Sequence, residues 1–367
     1  STRLTASGNH SKKGKKLMRV VVAMSGGVDS SVAAALMVDA GHDVVGFSMQ
    51  LYDQRDADTG FGSCCSIDDL HDAKRAASVL EIPHYVINFQ EQFKNLVTLN
   101  FVSEYTSGRT PIPCVHCNSE LKFTHLLDRA VTLKAKAVAT GHYVRVEKDP
   151  NTGDFLLKCG LDLEKDQSYF LFGLNQEQLS QAIFPVGNYQ KTSVRSYARE
   201  RGLPVADKPD SQELCFVETG QHIQFIEKHT EVQNGAGLIR SLDGETLGKH
   251  SGIHRFTIGQ RRGLGIQSGE PLYVLEINAA TRVITVGPRR ALERTCFTAS
   301  NVNWIASTPP TSPITAATRI RHRHAASSAT VQRLEGNRAE VCFNEPQLAV
   351  TPGQAVVWYE NDVILGG

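Results

Sequence analysis

No apolar run in the 367 residues approaches the roughly 18 that would suggest a membrane span. The chain also lacks a surplus of charge. Lys and Arg total 39 against 38 Asp and Glu, a formal net charge of +1, so a nucleic-acid partner would be met by local basic patches rather than a global field. No secretory signal precedes the eight cysteines, at 64, 65, 114, 117, 159, 215, 296 and 342. In a long chain this favours reduced thiols over a disulfide framework, and a cytoplasmic location. The opening stretch STRLTASGNHSKKGKK is polar and basic but lacks the apolar spacing of an amphipathic targeting peptide, so residues 1–18 read as a disordered tail. The missing initiator Met reads as a trimmed or engineered start. No repeat of fixed period is evident.

What is present is the composition of a globular protein, 41% hydrophobic and 21% charged, at a length that suits two or three domains. The first two hundred residues alternate. RVVVAM, HDVVGFSM, HYVINF and KAVAT read as strands, and residues 29–40, 66–80, 90–107 and 118–133 as helices between them. Such alternation predicts an α/β fold whose parallel sheet is covered on both faces, with ligands at the carboxyl ends of the strands. After about residue 222 the texture turns glycine-rich with short β-like runs. From about 287 onward FTASNVNWI, TAATRIRH, AEVCFNE and QAVVWYE, between turn signals, predict a small β-barrel.

Between the first strand and the first helix lies Ser25-Gly26-Gly27-Val28-Asp29-Ser30-Ser31. Two glycines permit close backbone approach, and the first N–H groups of a helix point at an anion with the dipole behind them. Ser30 and Ser31 would add hydroxyl donors, and Asp29 could hold a Mg²⁺ escorting a nucleotide. The Gly-Lys-Ser/Thr ending of a Walker loop is absent. Two glycines alone would also fit an ordinary capped turn.

GRTPIPCVHCNSELKF sets Cys114 and Cys117 in a proline-punctuated loop before a helix that Asn118 or Ser119 could cap, whose dipole would favour a nearby thiolate. Two thiols at this spacing can also share a metal. Cys215, in DKPDSQELCFVETG, lies 98 positions after Cys117. The bland readings are a redox-silent Cys-x-x-Cys and one buried cysteine.

The full SGGVDSS string resembles the PP-loop of the ATP pyrophosphatase superfamily. With GRTPIPCVHCN, ATGHYVR, KDQSYFL, FPVG, DSQELCF, GQRRGLGI and TPGQAVVWY following in order, the chain from about Arg19 onward resembles the tRNA-specific 2-thiouridylases, which put sulfur on C2 of a wobble uridine. The resemblance implies an adenine nucleotide alpha hydrolase-like PP-loop domain over 19–222, a central tRNA-binding domain over 223–286 and a C-terminal β-barrel over 287–367. It implies ATP and Mg²⁺ on Ala23, Met24, Ser25, Gly26, Gly27, Val28, Asp29 and Ser30, with Met49 and Gly141 beside the adenine and ribose. Cys117 is implied as nucleophile and Cys215 as persulfide carrier, recharged by a cysteine desulfurase or a sulfur-relay protein.

Where Cys114 stands, the best-described members carry an Asp assigned a general-base role. Cys114, Cys117 and Cys215 together could instead hold a [4Fe–4S] cluster with one iron open to hydrosulfide. The persulfide relay is the rival, and zinc a third reading.

By the same resemblance Ile112, Pro113 and Cys114 border the flipped uridine, with Ile112 replacing an Asn that could bond the base. Contacts to tRNA are expected from His142, Lys165, Asp166, Gln167, Arg321, His322 and Gln354, with Arg261 and Arg262 as further basic candidates. Strand spacing would put Arg319, Arg321 and Arg323 of RIRHRH on one face, and a solvated strand face explains that run nearly as well. Other PP-loop adenylating enzymes, of the GMP or argininosuccinate synthetase type, share SGGVDS but need neither the cysteines nor a basic β-rich tail. A non-catalytic RNA-binding protein with a structural metal site is the remaining alternative.

Overall fold

The computed structural model describes residues 17–52, 67–210, 214–217, 220–230 and 235–367. Most of the expected tail, together with Cys64 and Cys65, lies outside the described residues. The chain divides into two compact units, Ser1–Glu91 with Ser119–Ser168 and Gln176–Phe216, and Gln92–Asn118 with Tyr169–Asn175 and Val217–Gly367.

The first unit is α/β. Its strands are β1 (Arg19–Ala23), β2 (Asp43–Gln50), β3 (His84–Asn88), β4 (Ala137–Ala139), a hairpin of β5 (Val144–Lys148) and β6 (Phe155–Cys159), and the short β7 (Ala182–Ile183). All but the hairpin form one parallel sheet in the order β3-β2-β1-β4-β7. Val20, Val21 and Val22 in central β1 are wholly buried. A strand covered on both faces reads as a continuous apolar run rather than an alternation. Helix α1 (Val28–Asp39) carries Ala33, Ala34 and Ala35, all wholly buried, small enough to let it lie close against the core. Helix α2 (Ile67–Val79) presents Ala73, Ala76 and Ala77 to the same cluster.

The strand order reverses between β1, which leads to β2 on one side, and β4 on the other. At such a switch point the loops at the carboxyl ends of two neighbouring strands diverge and leave a crevice. Residues 24–27 after β1 and 140–143 after β4 flank it.

In the second unit, helix Leu99–Thr106 packs Phe101 edge-on against Phe225 of helix His222–His229, with ring centroids 5.9 Å apart. Strands β8 (Gly237–Ser241), β9 (Thr246–His250), β10 (Tyr273–Asn278) and β11 (Val283–Gly287) form a sheet in the order β10-β11-β8-β9 around Ile239, Val274, Ile284 and Val286. Six antiparallel strands follow: β12 (Glu293–Ser300), β13 (Ile314–Arg319), β14 (Ser327–Leu334), β15 (Arg338–Leu348), β16 (Val357–Glu360) and β17 (Val363–Gly366). They run β12-β15-β14-β13-β16-β17 around wholly buried Trp358, Val331 and Val341.

Two expectations are corrected here. Cys296 faces Cys342 across the β12–β15 pairing, and the two form a disulfide, so not every cysteine is a thiol. The RIRHRH run leaves the sheet at Arg319: Ile320 turns inward and the amide of His324 closes on the Arg321 carbonyl at 3.0 Å, so Arg319, Arg321 and Arg323 share no strand face.

Candidate active site

The loop from Met24 to Gly27 leaves β1 and enters α1 at Gly27, whose extended backbone caps the helix without any side-chain hydrogen bond. The first-turn amides are therefore left for an anion. Gly26 sits at φ +76°, and a Cβ there would lie 2.1 Å from the Asp69 carbonyl oxygen at the head of α2. Across the crevice, a Cβ on Gly141 would lie 2.6 Å from the Ser30 nitrogen. Both positions need glycine because backbone meets backbone there.

The serines divide their work. Ser30 and Ser31 both donate to the Gly27 carbonyl, at 3.1 and 3.0 Å, and both are buried. Ser30 also accepts from the Ser25 amide at 3.1 Å. Both hydroxyls brace the loop in this structure. Ser25 is the exposed one.

Asp29 faces two partners from far along the chain. Lys191, at the head of helix Lys191–Glu200, reaches its carboxylate oxygens at 2.8 and 2.7 Å, and the Tyr143 hydroxyl donates to it at 2.7 Å. The same Lys191 ammonium meets Asp210 at 2.8 Å, and Lys165 and Arg195 close on Asp210 at 2.9 and 2.7 Å. Partial burial pushes the Asp210 carboxyl up, but hydrogen bonds from Lys191 and Lys165 outweigh it and hold the carboxyl at about 2. Burial, then the Asp29 charge, drive the Tyr143 phenol well above its ordinary range, so it stays a donor. Lys208 forms a second brace. It reaches the Gly26 carbonyl at 3.1 Å, Asp69 at 2.5 Å and Asp72 at 2.6 Å. Lys191, Asp210, Tyr143 and Lys208 escape a reading by motif because their partners lie tens to more than a hundred positions away.

Of the other expected residues in this unit, Met49 is buried in β2, and Ala23 ends β1 half-buried. His142 packs against the rings of Phe123 and Phe184, with its Nδ1 2.7 Å from the Thr140 hydroxyl. Burial, helped by Lys122, pushes its pKa well down, so the ring is neutral. Asp166 is turned inward, accepting from the amides of Gly160 and Ser168 and from the Ser168 hydroxyl, so its carboxylate organises the loop. Gln167 accepts from the Tyr143 amide at 3.0 Å. Cys215 is half-buried, its sulfur 3.8 Å from the Tyr52 hydroxyl.

The second unit carries the other two thiols. The helix starts at Pro113, with Ile112 as its cap, and not at residue 118; a π-helical run begins at Cys117. Proline suits the first helical position because its missing N–H would be an orphan there and its φ is preset. Cys114 and Cys117 thus stand on the helix, half-buried and 7% exposed respectively. Asn118, no cap, is buried and donates to the Phe170 carbonyl at 3.2 Å. The Gln354 amide donates to the carbonyls of Thr110 and Pro111 at 2.9 and 3.3 Å. His322 lies against Phe170, with ring centroids 4.4 Å apart, and Arg321 donates to the Leu348 carbonyl. Arg261 and Arg262 are exposed in a loop.

The donor sets suit the expected groups unequally. The uncapped helix head with its glycine approaches fits a nucleotide's phosphates. The Asp29 carboxylate, expected to hold Mg²⁺, is here neutralised by Lys191. Among the described residues no group of three or more His, Cys, Asp or Glu could hold one metal ion.

Family models match in sequence order. A tRNA methyl transferase HUP domain covers residues 18–219, a tRNA methyl transferase PRC-barrel domain 223–288 and an aminomethyltransferase β-barrel domain 294–367. The tRNA-specific 2-thiouridylase MnmA of Geotalea uraniireducens (strain Rf4) is 52% identical over 359 residues, 97% of this chain and 95% of that protein. The chain belongs to the tRNA-specific 2-thiouridylase family. A second relative in the family, that of Solibacter usitatus (strain Ellin6076), is 49% identical over 95% of this chain and 98% of its own. Among solved structures, an NMN synthetase from Francisella tularensis aligns over 59% of this chain and 79% of that one with a TM-score of 0.35 and 18% identity, too loose a likeness to carry an argument.

Proposed function

We propose that this member of the 2-thiouridylase family is an ATP-dependent tRNA-uridine 2-sulfurtransferase acting on C2 of the wobble uridine. The observation that carries the reading is the uncapped head of α1, approached by Gly26 on one side and Gly141 on the other. There the first-turn amides and the Ser25 hydroxyl would receive the ATP phosphates. Mg²⁺ would neutralise the departing pyrophosphate, with Asp29 as its protein ligand once Lys191 turns to the phosphates.

The C2 oxygen of uridine is a poor leaving group. Its attack on the α-phosphorus releases pyrophosphate and leaves AMP on that oxygen. A persulfide on Cys215 then attacks C2 through its outer sulfur, and AMP departs with the oxygen. Attack of the Cys117 thiolate on the Cys215 sulfur forms a Cys117–Cys215 disulfide and leaves the outer sulfur on the base as 2-thiouridine. An external dithiol reduces the disulfide, and a cysteine desulfurase or relay protein reloads the persulfide. Neutral His142 and exposed Arg261 and Arg262 are the proposed RNA contacts, with Lys165, Gln167, Arg321 and His322, in a tRNA-binding arrangement divided at 222/223 and 286/287. A [4Fe–4S] route through Cys114, Cys117 and Cys215 is the competing form of the same activity, and no step is drawn through it.

The test is thiolation of a tRNA transcript, read by retardation in a mercury-containing gel, with anaerobically purified protein and a persulfide donor. The expected result is ATP-dependent thiolation by an iron-free preparation, lost in Cys117→Ala and in Cys215→Ala. Thiolation that persists in Cys215→Ala overturns the relay, and strict dependence on iron replaces it with the cluster route. No thiolation, with no ATP–pyrophosphate exchange stimulated by tRNA, overturns the activity itself.

A further inference from the structure

The loop that leads to Cys114 and Cys117 makes one backbone bond at its downstream end, from the Val115 amide to the Ile112 carbonyl at 3.2 Å. Pro111 and Pro113 have no N–H to donate, and Pro111 is buried. Its anchor on the upstream side is Arg109, whose guanidinium pairs with Glu104 and whose amide bonds the Glu104 carbonyl at 2.9 Å. Beyond that point the partners come from the turn at 351–354. The Thr110 amide donates to the Pro352 carbonyl at 2.9 Å, and the Gln354 amide group donates back to the carbonyls of Thr110 and Pro111. Gly353, at φ +90°, lies so close that a Cβ on it would stand 2.8 Å from the Thr110 oxygen and 2.9 Å from its nitrogen. The Thr257 hydroxyl lies 3.5 Å from that of Thr110.

We infer that Gln354, with Gly353 beside it, is a positioning residue that latches the 110–113 loop and so keeps Cys117 covered. Cys117 is 7% exposed, and a thiol must be uncovered before it can react with anything larger than itself. The Thr110 and Pro111 carbonyls share the Gln354 amide group as donor. Removing it leaves these two acceptors bare, and only the Thr110–Pro352 bond then ties the loop to the turn. The resemblance expects this same glutamine to touch RNA. A polar group of RNA that engaged the Gln354 amide would take the donor from the loop, coupling substrate arrival to exposure of the thiol. The inference deepens the proposed function and rests on its reading of Cys117 as a reacting thiol, although the measurement below does not.

The experiment is timed alkylation by iodoacetamide of the full chain without RNA or nucleotide, with each cysteine followed by peptide mass spectrometry. Gln354→Met keeps the volume and removes both donors, and is expected to raise the Cys117 rate by about tenfold, as the loss of two hydrogen bonds allows. Cys159, equally buried at 5% exposure in the other unit, serves as the control and stays slow. Gly353→Ala, which pushes Thr110 away while leaving Gln354 in place, acts in the same direction and carries the test if the Met variant does not fold. Gln354→Lys, whose ammonium can donate to both carbonyls, restores slow alkylation. A Cys117 rate within roughly twofold of wild type in both the Met and Ala variants overturns the latch. So does a parallel rise at Cys159, or a Lys variant as fast as the Met variant. Because no thiolation is measured, failure of the latch and failure of the proposed activity are read separately.

Discussion

Two loops, one in each unit, end at the head of a helix, and they are held by opposite means. The phosphate loop at 24–27 is braced by charge: Lys208 ties its Gly26 carbonyl to Asp69 and Asp72, and Lys191 ties Asp29 to Asp210. The cysteine loop at 110–113 is clasped by neutral hydrogen bonds with a single turn, where the Pro352 carbonyl accepts and the Gln354 amide donates. The first arrangement suits a pocket whose helix-head amides must stay fixed in place toward an anion. The second suits a segment that can let go, since three neutral hydrogen bonds are together worth only about 1.5–4.5 kcal/mol.

The largest effect is expected at Gly26. A side chain there meets the Asp69 carbonyl oxygen at 2.1 Å and must also hold φ +76°, so α2 or the loop has to shift. Gly26→Ala should abolish ATP binding in calorimetry and lower the melting temperature. Gly265→Ala, at φ +68° but with nothing within 4 Å, should cost only about 1 kcal/mol of backbone strain and leave ATP binding intact. Equal behaviour of the two variants would mean that close approach does not shape the pocket.

Next is Lys191→Met. The ammonium is 10% exposed and serves two carboxylates that are themselves 30% and 29% exposed. Deleting it leaves two neighbouring negative charges without their shared cation, at a cost of about 3 kcal/mol, the lower end for breaking a buried pair because water reaches the acids. Urea unfolding of the variant measures this, and adding Asp29→Asn should recover part of the loss. A double variant no more stable than the single one would show that Lys191 does not act through Asp29.

What the residues disclosed in advance follows range. The parallel sheet and α1 were legible because a β-branched run, a glycine turn and an alanine-rich stretch are signals within a dozen positions. The family followed from short strings in a fixed order. Lys191 was not legible, since its partner Asp29 stands 162 positions away and only the sheet's switch point brings them together. The helix start was misread at 118 because the prolines suggested a loop, whereas Pro113 sits at the first helical turn. For Asp166, expected at the RNA, the local bonds were not legible: its carboxylate accepts from the Ser168 hydroxyl two positions on and from the Gly160 amide six positions back. The Cys296–Cys342 bond was invisible for a different reason, because it depends on the register of two strands whose cysteines lie 46 positions apart.

The smallest effect should be the sharpest divider, because it asks whether acid loosens one loop and spares the other. Asp210 is held at about 2, below its ordinary value of 3.8, by Lys191 and Lys165 acting against burial. A depressed carboxylate contributes stability that is fully present above the unfolded pKa and is lost as pH falls through the folded one, because the unfolded chain takes up the proton first. The window therefore runs from about pH 4 down to about pH 2. Hydrogen exchange at the Lys191 amide, which donates to Asp162 beside this network at 2.8 Å, should lose protection across it, and Asp210→Asn should flatten the change. The Thr110 amide is held by the Pro352 carbonyl, and neither partner titrates, so its protection should follow only the intrinsic chemistry of exchange. Loss of both protections together at the same pH would mean that the two loops share one fate, and that charge and neutral clasp are not separate devices.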